Sequence, residues 1–279
     1  GLNSIGIGSG GGVGKVTAEW LMIGHINEDI FNSDIKRFQK FHSDLGFIKD
    51  RITESLGDLY GMHWPYKQHK TSRNVKKLPY HNELKSFGAC FGVSAGYERP
   101  MWFALDDEKP EYEYSYNYQN WYPSVEYETN NTLTNVGLYD LSPFSKFEIK
   151  SDKAHKDLQR ICTSNIKQEP GKCTYTHMLN NDGGIETDLT VVCIDQNHFR
   201  IISSAATRER DKFHIKKHLS DDVELIDITD DYCVFGIFGP KSRLLMQDIS
   251  SDEFSNENFK FANSKYIEIN GTKIWTQRL

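Results

Sequence analysis

The stretch Tyr175–Val192, YTHMLNNDGGIETDLTVV, carries the residues best spaced for chemistry. Asn180 to Gly184 read as a turn. The run after it alternates Ile185, Thr187, Leu189 and Val191 with Glu186, Asp188 and Thr190. On a half-buried strand, successive side chains face opposite ways, so Asp188 opposes Leu189 and shares a face with Glu186 and Thr190. A carboxylate there is either one more charge on a solvated surface or an acceptor at a ligand site, placed to hold a ligand nitrogen and assist proton movement. The spacing alone is compatible with both.

A second candidate is the opening GLNSIGIGSGGGVGKVTAEWL, with seven glycines between Gly1 and Gly14. Bare backbone approaches a ligand closely, and a following helix offers free N–H groups to an anion. Gly6, Gly8 and Gly11 satisfy G-x-G-x-x-G. The kinase-type phosphate loop fails, because Ser9 stands at its first glycine and Val16 at its Ser/Thr. A dinucleotide fingerprint also needs a preceding strand and a second strand ending in an acid about 20 residues on. Here a helix expected from Val13 to Ile23 leads into GHINEDIFNSDIKRF, which is polar, acidic and helical in rhythm. Three readings stand: a first-strand fingerprint, a turn with no ligand, or a ligand-facing turn late in a nucleotide domain that begins upstream of Gly1.

Other candidates have simpler structural accounts. His63 and His81 sit among aromatics and prolines with no metal-ligand spacing, so they read as packed histidines, and no metal site is expected. Glu98–Arg99 reads as an ion pair bracing a junction, Trp102 and Phe103 as core aromatics, and RERDK at 208–212 as a solvated helix face with charge pairs at i,i+3 and i,i+4. The five cysteines, Cys90, Cys162, Cys173, Cys193 and Cys233, are odd in number and form no C-x-x-C pair, which argues for reduced thiols. A net charge of −6 argues against a general nucleic-acid binder. No apolar run reaches the length of a membrane span, and no signal peptide is visible.

The elements expected to position these residues are an α+β assembly with mainly antiparallel sheet. A second polar helix is expected at 33–42. The segment 43–115 is rich in aromatics and turns, and Pro65, Pro79 and Pro100 forbid a long helix there. LDDEKPEYEYSYNYQNWYP reads as a linker or strap. Further on, a helix precedes the strand KFEIK, and DKAHKDLQRICTS is helical with Leu158 and Ile161 on one face. CTYTHML, TDLTVVCID and HFRIIS form a meander, followed by the helix ATRERDKFHIKKHL and the strands VELIDIT, DYCVFGIFG and KYIEINGTKIW. The last of these reads as a hairpin whose second strand has only begun at Leu279, so both chain ends read as cut.

Three zones resemble one family in order. VGLYDLSPFSKFEIKSDKAHKDLQRICTSNI, GKCTYTHMLNNDGGIETDLTV and HFRIISSAATRERD resemble the folate-binding domain of the glycine-cleavage aminomethyltransferases. GLNSIGIGSGGGVGKVTAEW is similar to the closing part of the flavin domain of dimethylglycine and sarcosine dehydrogenases. HWPYKQHKTSR, PYHNEL and GACFGVSAGYERPMWFA resemble their linking domain. The resemblance implies a flavin-domain remnant at 1–42, a linking domain at 43–115 and an incomplete folate-binding domain at 116–279. It implies that Gly6, Ile7, Gly8, Gly10, Gly11 and Gly12 form a flavin (FAD) turn, with Asn3 and Ser4 adding polar contacts. It further implies that Phe144, Tyr175, Asp188 and Ser204 line a tetrahydrofolate site, with Asp188 the catalytic carboxylate near N10. Two positions depart from the aminomethyltransferase pattern: Thr187 stands where a second aspartate is usual, and Ser204 where Asn is common.

The implied reaction oxidises the N-methyl group of an amino acid such as dimethylglycine or sarcosine, leaving an iminium and reduced flavin, and passes the carbon to tetrahydrofolate. An electron acceptor, a flavoprotein or oxygen, is the implied partner, with no nucleic acid and no membrane span. The implied compartment is the cytoplasm in a bacterium or the mitochondrial matrix in a eukaryote. The same domain order resembles a regulatory subunit of pyruvate dehydrogenase phosphatase, a binding protein. A third reading is a folate-dependent aminomethyl or methyl transferase without flavin chemistry.

Overall fold

The computed structural model describes residues 5–24, 26, 30–106 and 108–279. Helix α1 covers Gly6–Ile23, so the glycine stretch is helical and not a turn ahead of a helix at Val13. Its first bond runs from Ser9 N–H to the Ile5 carbonyl at 2.9 Å, and Gly24, at φ 79°, closes it in the left-handed cap. Each interior glycine costs about 1 kcal/mol relative to alanine. None of the α1 residues is buried, and a Cβ on Gly8, Gly10, Gly11, Gly12 or Gly14 would meet nothing within 4 Å. Packing inside this chain therefore does not require these glycines.

The polar helix expected at 33–42 is replaced by three short 3-10 turns, Phe31–Ser33, Ile35–Arg37 and Lys40–Ser43. Asp34 accepts from Lys36 N–H at 2.8 Å, and His42 Nδ1 accepts from Gln39 N–H at 3.0 Å; such local side-chain bonds compete with a continuous helix. A helix unforeseen in the sequence follows, α2 at Leu45–Asp58, capped by Asp44, whose Oδ1 accepts from Phe47 N–H at 2.9 Å.

Helix α3 (His81–Ser86) precedes a hairpin of β1 (Ala89–Ser94) and β2 (Tyr97–Phe103). Pro100 sits in β2 at a bulge: Trp102 pairs with Cys90 and Pro100 with Phe91, leaving Met101 as the extra residue. A bulge is where a strand tolerates proline's missing N–H. Among the described residues, the tyrosine-rich segment beyond Phe103 contains no helix or strand before Tyr122. It is nevertheless held by rings. Tyr112 stacks on Tyr114 at 5.7 Å and meets Trp121 edge-on, and the Tyr114 hydroxyl accepts from Gln68 N–H.

From Tyr122 the order is α4 (Tyr122–Thr134), β3 (Gly137–Asp140), β4 (Ser145–Lys150), α5 (Ala154–Ile161), β5 (Cys173–Leu179), β6 (Ile185–Asp195), β7 (His198–Ser203), α6 (Arg208–His218), β8 (Leu225–Asp227), β9 (Phe235–Phe238), α7 (Ser242–Ile249), β10 (Asn263–Ile269) and β11 (Thr272–Arg278). The meander is present, and with β4 and β8 it makes a five-stranded antiparallel sheet of order β5-β6-β7-β4-β8. Strands β3 and β9 form a separate pair. The last hairpin is fuller than expected, since β11 pairs with β10 from Thr272 to Arg278. Helix α3, the β1–β2 hairpin, strand β3 and helix α7 are likewise unforeseen in the sequence.

One face of the large sheet is dry. Phe147, Ile149, Met178, Leu189, Val191, Cys193, Phe199 and Ile201 pack there with Leu158 of α5 and Ile215 of α6. Four of the five thiols, Cys90, Cys162, Cys173 and Cys193, are buried and free, and burial pushes the Cys162 thiol up to about 12.

Arg208, at the start of α6, ties this sheet to the preceding unit. Its Nε and Nη2 donate to the two oxygens of Asp227 at 3.0 and 2.9 Å. Its Nη1 donates to Asp230 at 3.1 Å and to the buried Tyr97 hydroxyl of β2 at 3.3 Å. Lys76 lies over the Tyr97 ring at 4.1 Å and pairs with Asp230 at 3.3 Å. The side chains of Arg208 and Asp227 are 12% and 11% exposed, whereas that of Asp230 is 58% exposed. The energy therefore rests on the Asp227 fork, because exposed pairs contribute about 0–1 kcal/mol. Arg208→Met removes the bidentate partner of buried Asp227 and leaves it Lys212 Nζ at 3.3 Å; it is expected to cost about 3 kcal/mol in urea unfolding, while Asp230→Asn costs about 1 kcal/mol or less.

Candidate active site on the open face of the sheet

The alternation that dries one face places the polar residues on the other. Thr187, Leu189 and Val191 are buried, while Glu186 and Thr190 are partly exposed and Asp188 is exposed. The register then aligns the residues singled out in the sequence. Leu189 pairs with Ser203, so one step further sets Ser204 opposite Asp188. Ser145 also pairs with Ser203, so the same step sets Phe144 beside Ser204. On the other side of β6, Asp188 pairs with His177. Phe144, Ser204, Asp188 and His177 thus form one row across β4, β7, β6 and β5. Tyr175 stands one step along β5, opposite Thr190.

Tyr175 reaches back to this row. Its hydroxyl donates to Asp188 Oδ2 at 3.1 Å, and its ring meets His177 edge-on at 5.4 Å. That hydrogen bond raises the Tyr175 pKa, since losing the proton would set two anions together. The two carboxylates of the strand have different fates. Arg210 of α6 donates Nε and Nη2 to Glu186 Oε2 at 2.9 and 2.7 Å, so Glu186 is engaged by a cation. Asp188 has only the Tyr175 hydroxyl as a hydrogen-bond partner among the described residues. Phe144 and Tyr175 keep 37% and 61% of their surface exposed, so two aromatic faces flank an open carboxylate. Ser204 Oγ accepts from Ala206 N–H at 3.3 Å, and its carbonyl accepts from Ser145 Oγ.

Beneath this row lies a buried cation that the sequence reading missed. Lys146 pairs with Ile202 and is 3% exposed, and its Nζ donates to the carbonyls of Ser142 at 2.9 Å and Phe144 at 2.8 Å. It therefore fixes the loop that presents Phe144. Burial lowers its pKa from 10.5 to about 8. One row deeper, Glu148 accepts from Arg200 Nη2 at 2.8 Å; burial raises the carboxyl, but Arg200, His198 and Lys150 together hold it lower. The signal for Lys146, Glu148 and His177 was present: each is i±2 from a recognised open-face residue or alternates with a core one.

Several expectations change here. The RERDK run is not a solvated face: Arg208 and Arg210 cross to other elements, and Asp211 is 1% exposed. Glu98 does brace a junction, but with Arg73 at 2.6 Å and not with Arg99. Neighbouring residues on a strand point opposite ways, so Glu98 and Arg99 cannot face each other. His81 is packed as expected, buried against Phe91, whereas His63 is exposed and only its Nε2 is held, by the Asp58 carbonyl. Gly6, Ile7, Gly8, Gly10, Gly11 and Gly12 lie in the first turns of α1, far in sequence from the row; Asn3 and Ser4 lie outside the described residues. A depression of about 580 Å³ is lined by residues such as His155, Asn165, Gln168 and Gln196 and includes none of the row. Its polar rim lacks the aromatic faces and free carboxylate found on the sheet, so the sheet face is the better candidate.

A family model described as the GCVT N-terminal domain matches residues 80–279. The chain belongs to this family. A model described as the FAD dependent oxidoreductase central domain matches residues 24–77. Among curated relatives, a 4-methylaminobutanoate oxidase (formaldehyde-forming) of Paenarthrobacter nicotinovorans is 36% identical over 96% of this chain and 33% of its own length. Human mitochondrial sarcosine dehydrogenase is 28% identical over 100% of this chain and 35% of its own. The mouse mitochondrial pyruvate dehydrogenase phosphatase regulatory subunit is 28% identical over 98% and 32%. This chain thus spans about a third of the length of these relatives. The crystal structure of glycine cleavage system aminomethyltransferase T from Bartonella henselae superposes with a TM-score of 0.56 at 21% identity, covering 68% of this chain and 47% of that one. That likeness establishes the fold, the α+β class with antiparallel sheet expected from the sequence. Among the described residues, no helix is long and apolar enough to cross a membrane.

The site makes a pH-dependent contribution that can be measured. Between about pH 8 and 10.5 the unfolded chain retains the Lys146 proton that the folded chain has released. Stability contributed by this group therefore rises with pH across that window. Lys146→Met is expected to flatten the rise, read as unfolding free energy at several pH values between 8 and 10.5.

Proposed function

We propose that the chain is the folate-facing part of a flavin-dependent enzyme that oxidatively demethylates an N-methyl amino acid, such as dimethylglycine or sarcosine, and transfers the one-carbon unit to tetrahydrofolate. The observation that carries this reading is the row Phe144–Ser204–Asp188–His177 with Tyr175 beside it. It presents an unpaired carboxylate between exposed aromatic faces on a sheet whose other face is dry. The names of the relatives supply the chemistry: an oxidase forming formaldehyde and a sarcosine dehydrogenase. The zones 1–42, 43–115 and 116–279 would then be flavin-domain end, linking unit and folate-binding unit.

Tetrahydrofolate, when bound, supplies the nucleophilic nitrogens that take up the carbon. Phe144 and Tyr175 fit a flat heteroaromatic system by stacking. Asp188 fits a ligand N–H, with Tyr175 orienting its second oxygen, and it accepts the proton that the nitrogen sheds. Lys146 holds the Phe144 loop and stays out of the reaction. FAD would be met by the first turn of α1, at Gly6, Ile7 and Gly8; a helix N-terminus favours the negative charge of a reduced flavin. The electron acceptor would be a flavoprotein or oxygen, and the compartment the cytoplasm or the mitochondrial matrix according to the host.

A second reading, a regulatory binding protein, rests on the likeness to the phosphatase regulatory subunit. The distinguishing experiment uses the full-length protein with dimethylglycine or sarcosine, following flavin bleaching and methylene-tetrahydrofolate yield separately. Asp188→Asn is expected to leave bleaching intact and to lower the methylene-folate yield by about 10²-fold or more, with free formaldehyde appearing instead. An unchanged yield removes Asp188 from the reaction. Absence of bleaching with every N-methyl amino acid tried favours the binding protein.

A further inference from the structure

The row on the open face ends at His177, a side chain for which the proposed reaction has no use. His177 lies on β5, the outermost strand of the sheet, directly across from Asp188. It is partly exposed, and its ring meets Tyr175 edge-on at 5.4 Å. Neither ring nitrogen has a hydrogen-bond partner among the described residues. Its main chain is fixed from outside the sheet, where Thr163 N–H donates to the His177 carbonyl at 3.0 Å. The backbone is held and the imidazole is left unengaged.

The cations bordering the row are spent. Lys146 is buried beneath it and donates to the Ser142 and Phe144 carbonyls. Arg210 donates twice to Glu186, and Arg200 and His198 lie against Glu148. Among Phe144, Ser204, Asp188, Tyr175 and His177, only the imidazole can carry positive charge. The two ends of the row also differ. At the Phe144 end, Lys146 holds the loop from below, and Leu141 N–H donates to the Val234 carbonyl at 2.8 Å. At the β5 end the sheet stops, and Tyr175 is 61% exposed against 37% for Phe144. Three strand spacings separate β4 from β5, about 14 Å, which is room for a ligand laid along the row. A carboxylate is costly to dry without a partner, so a ligand with an aromatic head and a carboxylate tail sets its tail at the wetter end.

We propose that His177 is the tail contact of this site, donating a ring N–H to a carboxylate of the glutamate that tetrahydrofolate carries. The inference rests on the folate reading above and gives it a direction, with the head at Phe144 and the tail at β5. The test uses the full-length protein and titration calorimetry with two probes, tetrahydrofolate and a tetrahydropterin that lacks the benzoyl-glutamate tail. His177→Ala is expected to weaken tetrahydrofolate about tenfold and to leave the tetrahydropterin affinity unchanged. His177→Gln, which keeps an N–H donor, is expected to recover most of the loss. An equal loss for both probes, or no loss for either, overturns the assignment of His177 while the folate reading stands. Wild-type protein that binds neither probe overturns the folate reading, and the inference falls with it.

Discussion

Everything on the open sheet face depends on where α6 begins, and that is set by the fork between Arg208 and Asp227. The loop from Ser204 to Thr207 joins β7 directly to α6, so the start of the helix and the end of the strand cannot be placed independently. Asp227 is also the last residue of β8, paired with Phe147 of the neighbouring β4. One bidentate contact therefore joins the edge of the sheet, the helix on its dry face and the loop that carries Ser204. Burying two charges is expensive unless each finds a full set of partners. Here Asp227 also accepts from Thr229 N–H and Lys212, and Arg208 spends its remaining donors on Asp230 and Tyr97. The Tyr97 hydroxyl carries the same constraint into the β1–β2 hairpin and, through Lys76 above its ring, into the unit before it.

The sheet itself was legible because its two faces differ in wetness. In β6 the alternation of Leu189 and Val191 with Asp188 and Thr190 is a direct record of that asymmetry, and it set the face of Asp188 correctly. The hairpin turns and α5 were legible for similar local reasons: NNDGG and an apolar spacing that buries Leu158. What alternation cannot report is the partner of a charge. Glu98 was paired with its sequence neighbour Arg99, whereas its cation comes from Arg73, 25 positions earlier. RERDK read as solvated because its charges are dense, yet Arg208 and Arg210 each find a carboxylate on another element, 19 and 24 positions away. Burial of charge is set by the fold around a helix, and helical periodicity carries no record of it.

The glycine run shows the opposite failure. Glycine weakens a helix by removing the bias of a side chain, but it does not forbid one, and nothing in positions 6–14 competes for the backbone N–H groups. By contrast, the segment from Ile30 to Ser43 has ordinary helix formers and still breaks into short turns, because Asp34 and His42 bond their own neighbourhood. Composition pointed the wrong way in both places; the decisive quantity was whether a side chain offered the backbone a better local partner. A six-glycine helix with no buried residue is costly unless something outside the described residues contacts its bare backbone. This is the physical reason for retaining the cofactor reading of Gly6 to Gly12 after the turn was replaced by a helix.

The identity of residue 187 follows from the same geometry. Thr187 is 7% exposed and points to the dry side, away from Asp188. On that side it lies against Asp211, whose carboxyl is 1% exposed, accepts from the Thr207 hydroxyl at 2.7 Å, and is raised in pKa by burial. A carboxylate at 187 would stand beside a second buried acid with no cation to separate them, and one of the two would have to keep its proton. It would also do nothing for a ligand, since the sheet lies between it and the open face. Threonine adds no second charge there; its hydroxyl donates to the Asp188 carbonyl at 3.3 Å, and the strand keeps the Asp188 carboxylate on the side where a ligand can reach it. The departure at 187 is therefore a matter of how α6 packs beneath the strand, and it leaves the acceptor at Asp188 intact.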